Sequence, residues 1–131
     1  MTDIEMDDDR DAGFLRARIG GADGDVAGYI QYFVLEEPRR ALVPVHTVVE
    51  PAHEGKGIGG SLARELYATA AREAVAVAPL CPFVVEWAAR HPGEAPAAPA
   101  ALLDAAREAV TDHPELWRPA RTGERPRGAG A

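Results

Sequence analysis

The sequence predicts an α+β, or mixed α/β, domain: an antiparallel β-meander followed by a glycine loop, a helix, a parallel-paired fourth strand and C-terminal helices. Three observations predict it. Three runs of strand character, separated by turn residues, lie between residues 13 and 50. The stretch His53-Glu54-Gly55-Lys56-Gly57-Ile58-Gly59-Gly60-Ser61 then interrupts the pattern with four glycines in six residues. A segment with helical spacing follows it directly, and a short apolar run follows that.

Each element has its own grounds. Residues 1 to 12 carry Asp3, Glu5, Asp7, Asp8, Asp9 and Asp11, which predicts an acidic, flexible N-terminus. Gly13 to Gly20 alternates weakly, with Phe14, Ala17 and Ile19 apolar and Arg16 and Arg18 polar, and reads as a strand. Gly20-Gly21-Ala22-Asp23-Gly24-Asp25 turns the chain. Val26 to Leu35 is rich in β-branched and aromatic residues and forms a second strand. Ala41 to Glu50 is a third, in which Pro44 cannot donate to a ladder and so marks an edge or a bulge. After the glycines, Ile58, Leu62, Leu66 and Tyr67 share one face of a helix running to about Ala74. Val75 to Leu80 is nearly all apolar, as for a strand buried on both faces. Cys81-Pro82 opens a second helix that ends near Arg90-His91-Pro92. Residues 93 to 117 hold a linker and an additional short helix over Ala100 to Thr111, with His113 to Trp117 docking back on the body. From Arg118 to Ala131, Arg, Pro and Gly dominate, and this tail is expected to be disordered.

Composition excludes several classes. The 131 residues suit one domain, and a hydrophobic content of 47% is enough for a packed interior. A net charge of −7 argues against nucleic acid as partner, because neutralising phosphates needs clustered Lys and Arg. Cys81 is the only cysteine, so no internal disulfide forms, and a cytoplasmic location is expected. No apolar run approaches the length of a membrane span, and the acidic start is unlike a signal peptide, so no membrane partner is expected. Neither acidic run has metal-ligand spacing, and no metal is expected.

The glycine stretch carries the chemistry. Glycines at Gly55, Gly57, Gly59 and Gly60 remove side chains where a backbone comes close to a ligand. The helix that follows aims unpaired N–H groups and the positive end of its dipole at the same place. A strand, a glycine turn and a helix N-terminus together suit a phosphate or pyrophosphate. Gly55-Lys56-Gly57 lacks the Gly-Lys-Ser/Thr ending of a P-loop, and no dinucleotide fingerprint with a downstream acid is present.

His46-Thr47-Val48-Val49-Glu50-Pro51, Glu54-Gly55-Lys56-Gly57-Ile58-Gly59, Pro79-Leu80-Cys81-Pro82-Phe83-Val84 and Arg90-His91-Pro92, in this order after a meander, resemble the GNAT superfamily of acyl-CoA-dependent N-acyltransferases. The likeness is closest to its small YjdJ-type subgroup and covers about residues 13 to 92, read as an acyl-CoA-binding core. The superfamily pattern is Arg/Gln-x-x-Gly-x-Gly/Ala, and here Glu54 stands at its first position, with Gly57 and Gly59 in register. The resemblance implies an N-acetyltransferase that moves an acetyl group from acetyl-CoA to a primary amine by direct attack. The acceptor would be a small-molecule or peptide amine. It further implies that the pyrophosphate lies on Glu54, Gly55, Lys56, Gly57, Ile58, Gly59, Gly60 and Ser61, and that the pantetheine amides pair with the backbone at Val48 and Val49.

Cys81 and His46 are the candidate catalytic residues. A cysteine at a helix N-terminus has its thiolate stabilised, and some members of the family have been proposed to use it as base or transient acyl carrier. The alternative is an inert buried thiol. His46 is the residue type that titrates near neutrality, set close to where the thioester reaches, or else a packing histidine. A second function of a different kind, a CoA- or acyl-CoA-binding module with little or no turnover, fits the same motifs. The acceptor's identity and the oligomeric state have no signature in the sequence.

Overall fold

A computed structural model describes residues 4–20 and 24–116. The acidic start is the first departure from the sequence reading. Ile4–Asp9 is a strand, β1, where a flexible segment was expected. It pairs antiparallel with β2 (Phe14–Ile19) from Ile4 opposite Ile19 to Asp9 opposite Phe14. The acids are accommodated because arginines face them. Arg18 Nη2 donates to Asp7 Oδ2 at 3.3 Å, and Arg16 Nη1 donates to Asp9 Oδ2 at 3.3 Å. On the other face Ile4 and Met6 pack against the core, and Asp8 accepts from the Tyr32 hydroxyl.

Strands β3 (Asp25–Leu35) and β4 (Ala41–Val49) continue the antiparallel meander, and β5 (Ala76–Val77) closes the order β1-β2-β3-β4-β5 in parallel with β4. Tyr32 pairs with Pro44 and Gln31 with His46, so Val45 is the extra residue of a bulge. The bulge lets the sheet carry a residue without an N–H. The fourth predicted strand is shorter than Val75 to Leu80. Ala78 N donates to Leu42 O at 2.9 Å, but Pro79 has no donor, and Leu80 and Cys81 both donate to the single carbonyl of Pro44, each at 3.1 Å. The two chains part there, because one acceptor cannot extend a ladder.

Helix α1 (Ile58–Glu73) fills one face. Leu62 and Leu66 lie one turn apart and are both fully buried against Leu15, Ile30 and Leu42. Each contributes roughly 1.5–3 kcal/mol by leaving water. The helix ends at Ala74, whose φ of 58° is left-handed, and Val75 N returns to Ala70 O at 2.9 Å. Helix α2 (Pro82–Arg90) packs beside α1 through Val84 and Trp87, with Pro82 at its first position. Helix α3 (Ala100–Asp112) covers the opposite face, where Leu102, Ala106 and Ala109 meet Phe33, Leu35 and Val43. The result is three layers, with helices on both faces of a mostly antiparallel sheet. Among the described residues no helix is long and apolar enough to cross a membrane. Trp117 and the tail from Arg118 lie outside the described residues.

Candidate functional site

Two features meet at one end of the sheet. The first is the glycine loop. Pro51–His53 makes a single 3-10 turn out of β4, and Glu54, Gly55, Lys56 and Gly57 follow in the open. Gly55 and Gly57 take φ of +83° and +76°, and nothing stands within 4 Å of where a Cβ would be on either. These two glycines are therefore required by backbone conformation, with open space around them. Gly57 is the N-cap of α1 and supplies no side chain to it. The first return bond is Ser61 N to Gly57 O at 3.0 Å, which leaves the amides of Ile58, Gly59 and Gly60 ahead of the ladder. They point outward at the positive end of a helix of 16 residues. Lys56 Nζ donates to His53 Nδ1 at 3.1 Å, so the one lysine is held beside the loop.

Gly59 and Gly60 have a different cause. A Cβ on Gly59 would stand 2.7 Å from the Phe83 ring, and one on Gly60 would stand 3.5 Å from Trp87 Nε1. Their smallness lets α2 cross close to the start of α1. Trp87 is itself clamped: the His91 ring stacks on it at 4.1 Å, and the Arg64 guanidinium lies 5.5 Å from its centroid. Arg64 also donates to Glu94 at 2.7 Å, which holds that carboxyl below its ordinary range.

The second feature is the split. Beyond Pro44, β4 stays paired with β3 as far as Val49, while on its other side β5 has already left it. Strand alternation then sorts the side chains. Thr47 lies opposite Ile30 and Val49 opposite Gly28, on the face covered by α1 and α2. His46 and Val48 lie on the other face and are exposed, Val48 by 38%. Cys81 caps α2 on the covered face, is 4% exposed, and has its Sγ 3.2 Å from Thr47 Oγ1. The two predicted catalytic residues are thus near the split but on opposite faces of β4. The thiol's partner is Thr47, which sequence reasoning passed over although it stands next to His46. Tyr29, opposite Val48, has its hydroxyl pushed to higher pKa by burial and then by the charge of Glu50.

What this arrangement can do is bind an elongated anion. Phosphates suit the outward amides of α1, and a peptide-like arm suits the strand edge that β5 vacates.

Residues 16–97, more than half of the chain, match a protein family described as GCN5-related N-acetyl-transferase. Among solved structures, the ribosomal-protein-alanine N-acetyltransferase from Brucella melitensis biovar Abortus 2308 is similar, with 28% identity over 66% of this chain and 62% of that one, at a TM-score of 0.49. The chain thus spans less than two thirds of that relative's length. An acetyltransferase from Trypanosoma brucei shares 14% identity over 88% of this chain and 70% of that one, at a TM-score of 0.42. No curated protein matches the sequence.

Proposed function

The chain belongs to the GCN5-related N-acetyl-transferase family, and from that premise we propose that it moves the acetyl group of acetyl-CoA to a primary amine, by direct attack of the amine on the thioester. The pyrophosphate takes the amides that precede the α1 ladder, with Lys56 adding a charge, and Glu54 to Ser61 form the binding loop. The pantetheine arm lies along β4 at Val48 and Val49. In the reaction the amine nitrogen bonds to the carbonyl carbon, the carbon–sulfur bond breaks, the amine loses one proton and the leaving sulfur gains one. His46 is proposed to take the amine's proton on the open face and release it to solvent. The Cys81 thiol, held by Thr47, is proposed to give its proton to the sulfur from the covered face and to regain one from solvent. The acceptor is a small molecule or a peptide, and the likeness to the YjdJ-type subgroup belongs to the same proposal. The observation that carries the reading is the parting of β4 and β5 at Pro44, next to a helix N-terminus that no side chain caps.

One observation favours the second reading, a CoA-binding module with little turnover: Cys81 is buried and stands across β4 from His46. Product separates the two. Acetylated amine with free CoA belongs to the first, and saturable binding alone belongs to the second.

The test is calorimetric titration with acetyl-CoA of the wild type and of Gly57→Val. A β-branched residue at φ +76° is strained, and it sits in open space, so the change disturbs the loop and spares the core. Affinity should fall at least about tenfold, the loss of roughly 1.4 kcal/mol of binding. Equal affinity in a folded variant removes the phosphate-loop assignment.

A further inference from the structure

On the α1/α2 side the split is filled: Ile58, Cys81 and Val84 are all buried there. An acceptor therefore reaches the thioester from the other face of the sheet. There Arg16, Tyr29 and Val48 form one cross-strand row from β2 to β4, and Phe14, Gln31 and His46 form the next.

Arg16 is the anomaly of this face. It is 2% exposed, and its Nη1 is engaged, donating to Asp9 Oδ2 at 3.3 Å with Asp7 Oδ2 at 3.6 Å. Its Nε and Nη2 are buried without a hydrogen-bond partner. Leaving a buried donor unmet costs about 1–3 kcal/mol, and more for a charged group. The two orphaned atoms are neighbours on the planar guanidinium. Together they form one edge of the fork, and a carboxylate takes such an edge with two parallel hydrogen bonds. The edge is not idly placed. The Phe14 ring lies 5.4 Å below the guanidinium and is itself braced edge-on by Tyr29 at 5.1 Å. The local field does not itself draw an anion in, since Asp7 and Asp9 are paired with Arg16 and Arg18 while Glu5 and Glu50 add negative charge, so the carboxylate is held by the guanidinium edge alone.

We propose that Arg16 sets acceptor specificity: its Nε–Nη2 edge binds a carboxylate carried by the amine acceptor, whose amine reaches across β3 to the split at β4. Two strand spacings separate the rows' ends, about 10 Å. The acceptor class is accordingly an amino acid or short peptide whose amine and carboxylate stand several bonds apart, as in an ω-amino acid. This rests on the acetyltransferase reading above.

The probes are 6-aminohexanoate and 6-aminohexanamide, which differ in the carboxylate alone. The full-length protein, labelled with nitrogen-15, is titrated with each at millimolar concentrations while the Arg16 Nε resonance is followed; acetyl-CoA binding is measured on the same sample. Arg16 should shift saturably with the acid and not with the amide. In Arg16→Lys, which keeps the charge and loses the edge, 6-aminohexanoate affinity should fall roughly tenfold with acetyl-CoA affinity unchanged. An Arg16 resonance that neither probe moves, or that both move alike, overturns the proposal while intact acetyl-CoA binding leaves the acetyltransferase reading standing. A selective Arg16 shift in a protein that does not bind acetyl-CoA does the reverse: it keeps the carboxylate site and overturns the acetyltransferase reading.

Discussion

Gly57 and Gly59 look alike in the sequence and differ in cause. Gly57 needs a positive φ and has open space around it, whereas Gly59 has an ordinary φ and the Phe83 ring against it. The spacing of the motif was legible in the sequence. The division of labour within it was not, because it depends on a helix that begins 23 residues later at Pro82. The same limit applies to Cys81. Its place at the start of a helix could be read from the following proline, but its partner Thr47 is 34 residues away. Strand alternation sets His46 and Thr47 on opposite faces of β4, and because Cys81 meets Thr47 it is this long-range contact, and nothing local, that parts His46 from Cys81. If the thiol is chemical, Cys81→Ala lowers turnover at least about tenfold, toward the ~10²–10⁴-fold typical of a proton-transfer group. Acetyl-CoA affinity stays as in the wild type. Thr47→Val keeps the shape beside the sulfur and removes the hydroxyl, and it should lower turnover in the same direction. Unaltered steady-state rates in both variants would return the pair to the core.

Among elements, β1 is the one that sequence patterning missed, and charge explains the miss. Six acids in twelve residues have the composition of a solvated segment. The compensating signal was alternation: Ile4 and Met6 on one side, and Glu5, Asp7 and Asp9 on the other, opposite Arg18, Arg16 and Phe14. Helices α1, α2 and α3 were placed within a residue or so, because their apolar spacing and proline or glycine stops are local. The linkage of β1 to the rest is argued by Arg10, in the turn after it, which donates twice to Glu73 on α1 at 2.9 and 2.8 Å. That pair holds the Glu73 carboxyl below its ordinary value of 4.5, with the hydrogen bond from Arg10 as the main cause. Both side chains are about a third exposed, at 30% and 38%, so solvent screens the pair and its worth is set by exposed ion pairs, about 0.5–1 kcal/mol. A carboxylate whose folded pKa is depressed stabilises the fold above its unfolded pKa and loses that effect as pH falls through the folded value. Glu73→Gln should therefore lower urea-unfolding stability at neutral pH by that amount, and the difference from wild type should shrink toward zero in acid, below the ordinary carboxylate range. An equal difference at both ends would mean the loss is one of packing and not of charge.

At the scale of the whole molecule, the sheet separates two cores, and the proposed chemistry is placed where that sheet opens. The general architecture was legible because meander, glycine turn, helix and returning strand are each local patterns whose order leaves few ways to fold. The open edge was half legible: Pro44 announced a bulge, but the point where β5 leaves β4 is set by Pro79 and by two amides sharing one carbonyl. Cohesion of the layers is tested best at Tyr67, where α1, α2 and the segment from Gly93 to Pro99 come together. Its ring stacks with Trp87 at 5.9 Å, and it lines cavities of about 560 and 290 Å³ shared with Ala97 and Ala98. Burial pushes its hydroxyl from an ordinary 10.0 up to about 12. Tyr32 is raised in the same direction, first by burial and then by its bond to Asp8. A group whose folded pKa exceeds its unfolded value contributes stability that is complete below the unfolded pKa and is lost as pH rises through the folded one. Unfolding free energy should accordingly hold level from neutral pH up to about pH 10 and then fall toward pH 12, with tyrosinate absorbance rising as the chain unfolds. Tyr67→Phe keeps the ring and removes the titrating group, so its curve should fall less steeply over that interval. A variant curve parallel to the wild type from pH 10 to 12 would assign the alkaline loss to the other raised tyrosines, Tyr29 and Tyr32, and would mean that the Tyr67 hydroxyl reaches water through the cavity it borders.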